Sequence, residues 1–169
     1  MRDEQETDDA VRAVATAGRA VPSAEKLARV YELGDEYEGI REAEPSGPQR
    51  NRSMGKIARN ILSLMPMDNY DPGPDLLSYR AGRRLVAYLA LVADADASYA
   101  EELTQTLTER EGIPYNQSWA LRALNQIVKN NGVGTVSSKS VARLRGMRDG
   151  LRPGSDRQLL LADLVDRLS

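Results

Sequence analysis

An all-α fold, a single compact multi-helix bundle of seven to eight helices, is what this sequence predicts, and three observations carry it. Apolar residues recur at spacings of three and four along most of the chain, the signature of helices with one buried stripe. Clusters of Gly, Pro, Ser and Asp punctuate these runs at short intervals. Residues that favour strands are scarce: there is no Phe and only one Trp, and the apolar 41% is mainly Leu, Ala, Val, Ile and Met, which suit close helix packing.

Taken in order, residues 1–9 read as an acidic flexible tail and residues 10–169 as one all-helical domain. Ala10 to Ala20 is Ala- and Val-rich and weakly helical, and Val21-Pro22-Ser23 breaks it. Ser23 is placed to cap a helix whose stripe is Leu27, Val30, Leu33, Tyr37 and Ile40. Gly34 lies inside that stripe at a helix-propensity cost of about 1 kcal/mol relative to Ala, so a kink or break is expected there. Glu44-Pro45-Ser46-Gly47-Pro48 is a turn. Met54, Ile57, Ala58, Ile61, Leu62 and Met65 then give one buried helical face, which Pro66 ends. Met67 to Asp75 is an irregular loop, with Leu76 and Leu77 anchoring its far end and Ser78 capping the next helix.

Residues 80–130 form the central, repeat-like unit of three helices. Their stripes are Leu85, Tyr88, Leu89 and Val92; then Tyr99, Leu103 and Leu107; then Ala120, Ala123, Leu124, Ile127 and Val128. Ser98 with Glu101 fits a capping box for the second, and Asn116 or Ser118 caps the third. Asn130-Asn131-Gly132 is a C-cap signal, followed by a loop at 133–136. Ser138 caps a helix carrying Val141, Leu144 and Met147. Ser155 with Gln158 repeats the capping box before Leu160, Leu161, Leu164, Val165 and Leu168.

At 169 residues, one domain with a useful core is the natural size class. The absence of Cys excludes disulfides and thiolate chemistry, and the absence of His removes the commonest general base and metal ligand. MRDEQETDDA is acidic and lacks an apolar run, unlike a secretory leader, and no stretch reaches the roughly 20 apolar residues of a membrane helix. A cytoplasmic location without membrane contact is the expectation. The net charge of −2 decides nothing about nucleic acid.

Arg84-Leu85-Val86-Ala87, Ala93-Asp94-Ala95-Asp96, Leu103 with Leu107, and Ala120-Leu121-Arg122-Ala123-Leu124 follow one another as helix, Asp-containing turn, helix, helix. In this the chain resembles HEAT-like or armadillo-like repeats, which implies a short HEAT-like array as the other form of the all-α fold. Tyr37-Glu38-Gly39-Ile40-Arg41, then Pro45-Ser46-Gly47-Pro48-Gln49-Arg50 and a Met- and Ile-rich helix, is similar to small all-helical modules associated with bacterial signalling and antiviral-defence effectors. The resemblance covers roughly residues 37–128. It implies an adaptor role, with the partner another polypeptide or a second copy of the chain.

Motifs for chemistry fail on spacing. Asp68, Asp71 and Asp75 invite comparison with a calcium loop, but Tyr70 and Pro72 stand where oxygen ligands are needed, leaving solvated turn residues. Gly55-Lys56 is not a phosphate-binding loop, because Arg50 and Ile57 stand where Gly and Ser/Thr belong. Glu101 with Glu102, and Asp35, Glu36 and Glu38, sit on helix surfaces. Ser137, Ser138 and Ser140 have no His to activate them, although a Ser–Lys pair through Lys129 or Lys139 stays open.

The strongest polar pattern is basic. From Pro45 to Pro66 there is no acid, while Arg50, Arg52, Lys56 and Arg59 are present, the last three on one face opposite Met54, Ile57 and Ile61. A second cluster runs through Lys129, Lys139, Arg143, Arg145, Arg148, Arg152 and Arg157. Either could meet phosphates or an acidic protein surface. Tyr115 and Trp119, one turn apart, are either interface anchors or core-edge residues. The candidate interaction surface is therefore Arg50, Arg52, Lys56, Arg59, Tyr115, Trp119, Arg145 and Arg148. The expected function is a non-enzymatic helical protein-interaction or adaptor module without cofactor or metal, with another protein or self-association as partner. The alternative is a small nucleic-acid-binding regulator using the basic faces at 50–59 and 139–157.

Overall fold

The computed structural model describes residues 23–169, so the tail at 1–9, the helix expected at 10–20 and the break at Val21-Pro22 lie outside the described residues. The described residues hold eight α-helices and no strand: α1 Ser23–Ala43, α2 Pro48–Leu62, α3 Gly73–Leu76, α4 Ala81–Ala93, α5 Ala100–Gln105, α6 Pro114–Asn131, α7 Ser138–Gly150 and α8 Asp156–Leu168. The all-α prediction therefore holds. The helices group into two compact units, one ending at Ala93 and one beginning at Asp94, so the boundary falls inside the 80–130 stretch.

In the first unit, α4 packs against α1, α2 and α3. The sequence suggests one apolar stripe for α4, but every residue from Leu85 to Val92 is buried. The reason is composition: Leu-Val-Ala-Tyr-Leu-Ala-Leu-Val carries no charge on any face, and a helix apolar all round is stable only when surrounded. Around it, α1 contributes Val30, Leu33 and Tyr37, and α2 contributes Met54, Ile57, Ala58, Ile61 and Leu62, as their spacing predicts. Fully burying a side chain such as Leu85 or Leu33 contributes roughly 1.5–3 kcal/mol.

No break occurs at Gly34. α1 runs unbroken from Ser23 to Ala43, and Gly34 is buried where α1 meets α4 at Gly82. A β-carbon on Gly82 would sit 2.6 Å from the Gly34 carbonyl carbon and closer still to its oxygen. The glycines thus allow two backbones to touch, which outweighs their poor helix propensity. The 67–75 segment also departs from expectation, because its last residues form α3. Leu76 is fully buried there, whereas Leu77 is 55% exposed, so Leu76 alone of the pair sits in the core. Ser78 accepts a hydrogen bond from the Arg80 amide at 3.1 Å just before α4.

In the second unit, α6 packs against α5 and α8, and α7 packs against α8 and α5. α6 buries Trp119, Ala120, Leu121, Ala123, Leu124, Ile127 and Val128, and α8 buries Leu161, Leu164 and Val165. α5 passes into a π-helical turn, Thr106–Arg110, closed by the Glu111 amide donating to the Thr106 carbonyl at 2.9 Å. Thr104 and Thr108 return their hydroxyls to the carbonyls of Ala100 and Thr104, each at 2.8 Å, and such back-bonding loosens the α-helical ladder.

The caps correct several expectations. Ser98 and Glu101 form no capping box: Asp96 accepts from the Ser98 amide at 2.9 Å, and Glu101 points elsewhere. α6 begins at Pro114 rather than at Asn116 or Ser118, because proline at the first turn has no amide to satisfy. Ser137, not Ser138, caps α7, accepting from the Ser140 amide at 3.2 Å. Ser155 caps α8 as expected, accepting from Gln158 at 3.3 Å. Gly132, at φ 94°, ends α6 with its amide donating to the Val128 carbonyl.

Candidate functional site

The outer face of α2 is where the predicted basic residues meet. Pro48 opens the helix, no acid occupies its first turn, and the apolar stripe commits one side to the core. Arg52, Lys56 and Arg59 are exposed on the other side, and none of them forms an ion pair with a described residue. Arg52 donates only to Gln49 Oε1, at 2.8 Å. Arg50 turns back instead, donating to Ser46 Oγ at 2.6 Å and to the Glu44 carbonyl at 3.4 Å. Cations in the first turns of a helix oppose its dipole, by about 0.3–1 kcal/mol each near the end. In α2 only Arg50 stands in the first turn, while Arg59 lies in the last, where a cation suits the dipole, so the dipole does not account for the exposed set.

The second basic region is held differently. Arg143 pairs with Glu109 at 3.0 Å, Arg145 donates to Ser169 Oγ at 2.9 Å, Arg148 pairs with Asp149 at 3.1 Å, and Arg157 donates to Gln117 Oε1 at 2.6 Å. Lys129, Lys139 and Arg152 are exposed. The two basic regions belong to different units. Trp119 is buried, with the Arg122 guanidinium 5.1 Å from its ring centre, and Tyr115 is half-buried.

Ser137 and Ser140 act structurally. Glu101 accepts from the Ser137 amide at 2.6 Å, from Ser137 Oγ at 3.1 Å and from Ser140 Oγ, so a carboxylate from α5 completes the N-terminus of α7. Desolvation pushes the Glu101 carboxyl up, but the hydrogen bonds from Ser140 and Ser137 and the Arg143 charge together bring it below its ordinary value of 4.5.

A second feature joins residues far apart in sequence. A cleft of about 300 Å³ lies between the first turns of α1 and the 67–75 segment, with Leu27, Tyr31, Met67, Tyr70 and Asp75 among its walls. Asp75 is 8% exposed, and its Oδ2 accepts from the Tyr31 hydroxyl at 2.7 Å and the Tyr70 hydroxyl at 2.6 Å. The Arg83 guanidinium stacks 3.3 Å from the Tyr31 ring centre. Burial first, and Asp75 second, raise both phenols above their ordinary value of 10.0, so both remain protonated donors. Sequence reasoning finds Asp75 but not this arrangement, because Tyr31 lies 44 residues away.

Among the described residues no group of His, Cys, Asp or Glu could hold a metal ion, and no helix is long and apolar enough to cross a membrane. Compared with known proteins, the chain matches no family model, no curated protein and no solved structure.

Proposed function

We propose that this chain is a non-enzymatic helical interaction module that binds an acidic surface of a partner protein through the outer face of α2. The observation that carries the reading is the exposed set Arg52, Lys56 and Arg59, which lacks an ion partner among the described residues on a helix whose other face is core. Exposed cations without an ion partner add little to folding and suit recognition of an opposite charge. The HEAT-like resemblance, a bacterial cytoplasmic setting and regulation of a signalling or antiviral-defence effector extend the same reading.

The alternative, a small nucleic-acid-binding regulator, draws on the same face, since three cations one turn apart also suit phosphates. It is weakened at 139–157, where four arginines are already held by neighbouring side chains. The deciding experiment titrates the chain with polyglutamate and with duplex DNA at about 50 mM salt, where phosphate contacts are strongest. The proposal expects polyglutamate to bind and the triple change R52E/K56E/R59E to abolish binding without changing the melting temperature. DNA binding tighter than polyglutamate binding, with equal sensitivity to the triple change, would replace the proposal with the alternative.

A further inference from the structure

We propose that the cleft beside Tyr31, Tyr70 and Asp75 is a binding site for a small organic cation, an alkyl ammonium or alkyl guanidinium. It is separate from the α2 face and independent of the adaptor reading.

The volume of about 300 Å³ is at the lower end for small-molecule sites. Leu27, Met67 and Pro74 give the cleft apolar wall, room for a short alkyl chain rather than for a bare ion. Its polar character leans to acceptors. Both phenol hydrogens are spent on the same oxygen of Asp75, so each phenol oxygen retains only acceptor capacity. Asp71 Oδ1 already accepts the Gly73 amide at 2.9 Å, and Asp68 adds a further carboxylate at the exposed rim. A ligand entering here meets mostly acceptors, with Ser23 and Asn69 the side chains among the described lining that can also donate, so donors on the ligand are favoured.

Charge points the same way. Among the described residues, Asp68, Asp71 and Asp75 line the cleft and no Lys or Arg does. Arg83 stacks on Tyr31 at 3.3 Å, which offsets part of the Asp75 charge and demonstrates that this ring accepts a cation against its face. Both phenols are raised above their ordinary value, so both stay protonated and able to donate to Asp75 across the neutral range.

The test titrates the full chain with n-butylammonium and agmatine, with n-butanol and butyrate as neutral and anionic controls, following backbone amide shifts. The expected result is saturable shifts confined to residues 23–31 and 67–75 for the two cations, with n-butanol at least about fivefold weaker and butyrate without effect. Asp75→Asn should weaken the cations about tenfold, and Asp68→Asn, at an exposed position with no hydrogen bond or ion pair to a described residue, about threefold. If Asp75→Asn melts early, Asp68→Asn alone decides. Equal affinity for n-butylammonium and n-butanol, cation affinity unchanged in Asp68→Asn, or no saturable shift at about 50 mM cation would each overturn the site.

Discussion

Replacing Gly82 by Ala tests whether the α1–α4 contact is a true backbone-to-backbone crossing. The added β-carbon would fall 2.6 Å from the Gly34 carbonyl carbon and 3.0 Å from its α-carbon, with the carbonyl oxygen nearer still. Those atoms are main chain inside an unbroken helix, so no side chain can swing aside. Overpacking of a tight core typically costs about 1–3 kcal/mol, and a backbone obstacle belongs at the upper end. Alanine returns at most about 1 kcal/mol in helix propensity. The net loss is then about 2 kcal/mol, a fall in melting temperature of roughly 4–8 °C for a chain of this size. The reverse change differs: a β-carbon on Gly34 meets the Gly82 oxygen at 3.0 Å and carbon at 3.2 Å, tight but short of overlap. Gly34→Ala should lie within about 1 kcal/mol of wild type. Thermal melts followed by circular dichroism measure both. A Gly82→Ala protein as stable as wild type, or a Gly34→Ala protein much the weaker of the two, would refute the crossing.

Glu101 should make stability pH-dependent. Its folded value lies below the ordinary 4.5, so the stabilisation is complete above that value and is lost as pH falls through the lower folded value. Acid melts between about pH 6 and pH 3 should show the gap between wild type and Glu101→Gln closing as the pH drops. Ser137→Ala removes the α7 cap and should cost about 1 kcal/mol by denaturant titration, since the Ser140 amide loses its partner. Leu103→Ala, at a fully buried position, should cost about 2–5 kcal/mol. Val133→Ala, at a position 55% exposed, should stay within about 0.5 kcal/mol on the same titration.

Much of the helical layout was legible because periodicity is local information. The α2 stripe from Met54 to Leu62, the Gly132 stop and the Ser155 cap all follow from residues within a few positions of one another. The exposed set Arg52, Lys56 and Arg59 was legible for the same reason, since a helix fixes which residues share a face. Caps were less secure wherever several polar residues competed: Ser137 and Ser138 are equivalent in composition, and only the path of the chain chose between them. Glu101 looked like a local capping residue but was recruited by α7, 36 residues away.

By itself the sequence determined that the described chain is helical, where most helices start and stop, and which face of α2 carries charge, because these depend on propensity and spacing within a few turns. Only the tertiary structure decided that α4 is enclosed on all sides, that Gly34 serves a crossing rather than a break, and that Tyr31, Tyr70 and Asp75 share one hydrogen-bonded cleft. The physical reason is that burial and side-chain convergence are properties of neighbouring helices, set by packing between segments tens of residues apart, and no local pattern encodes which segments become neighbours.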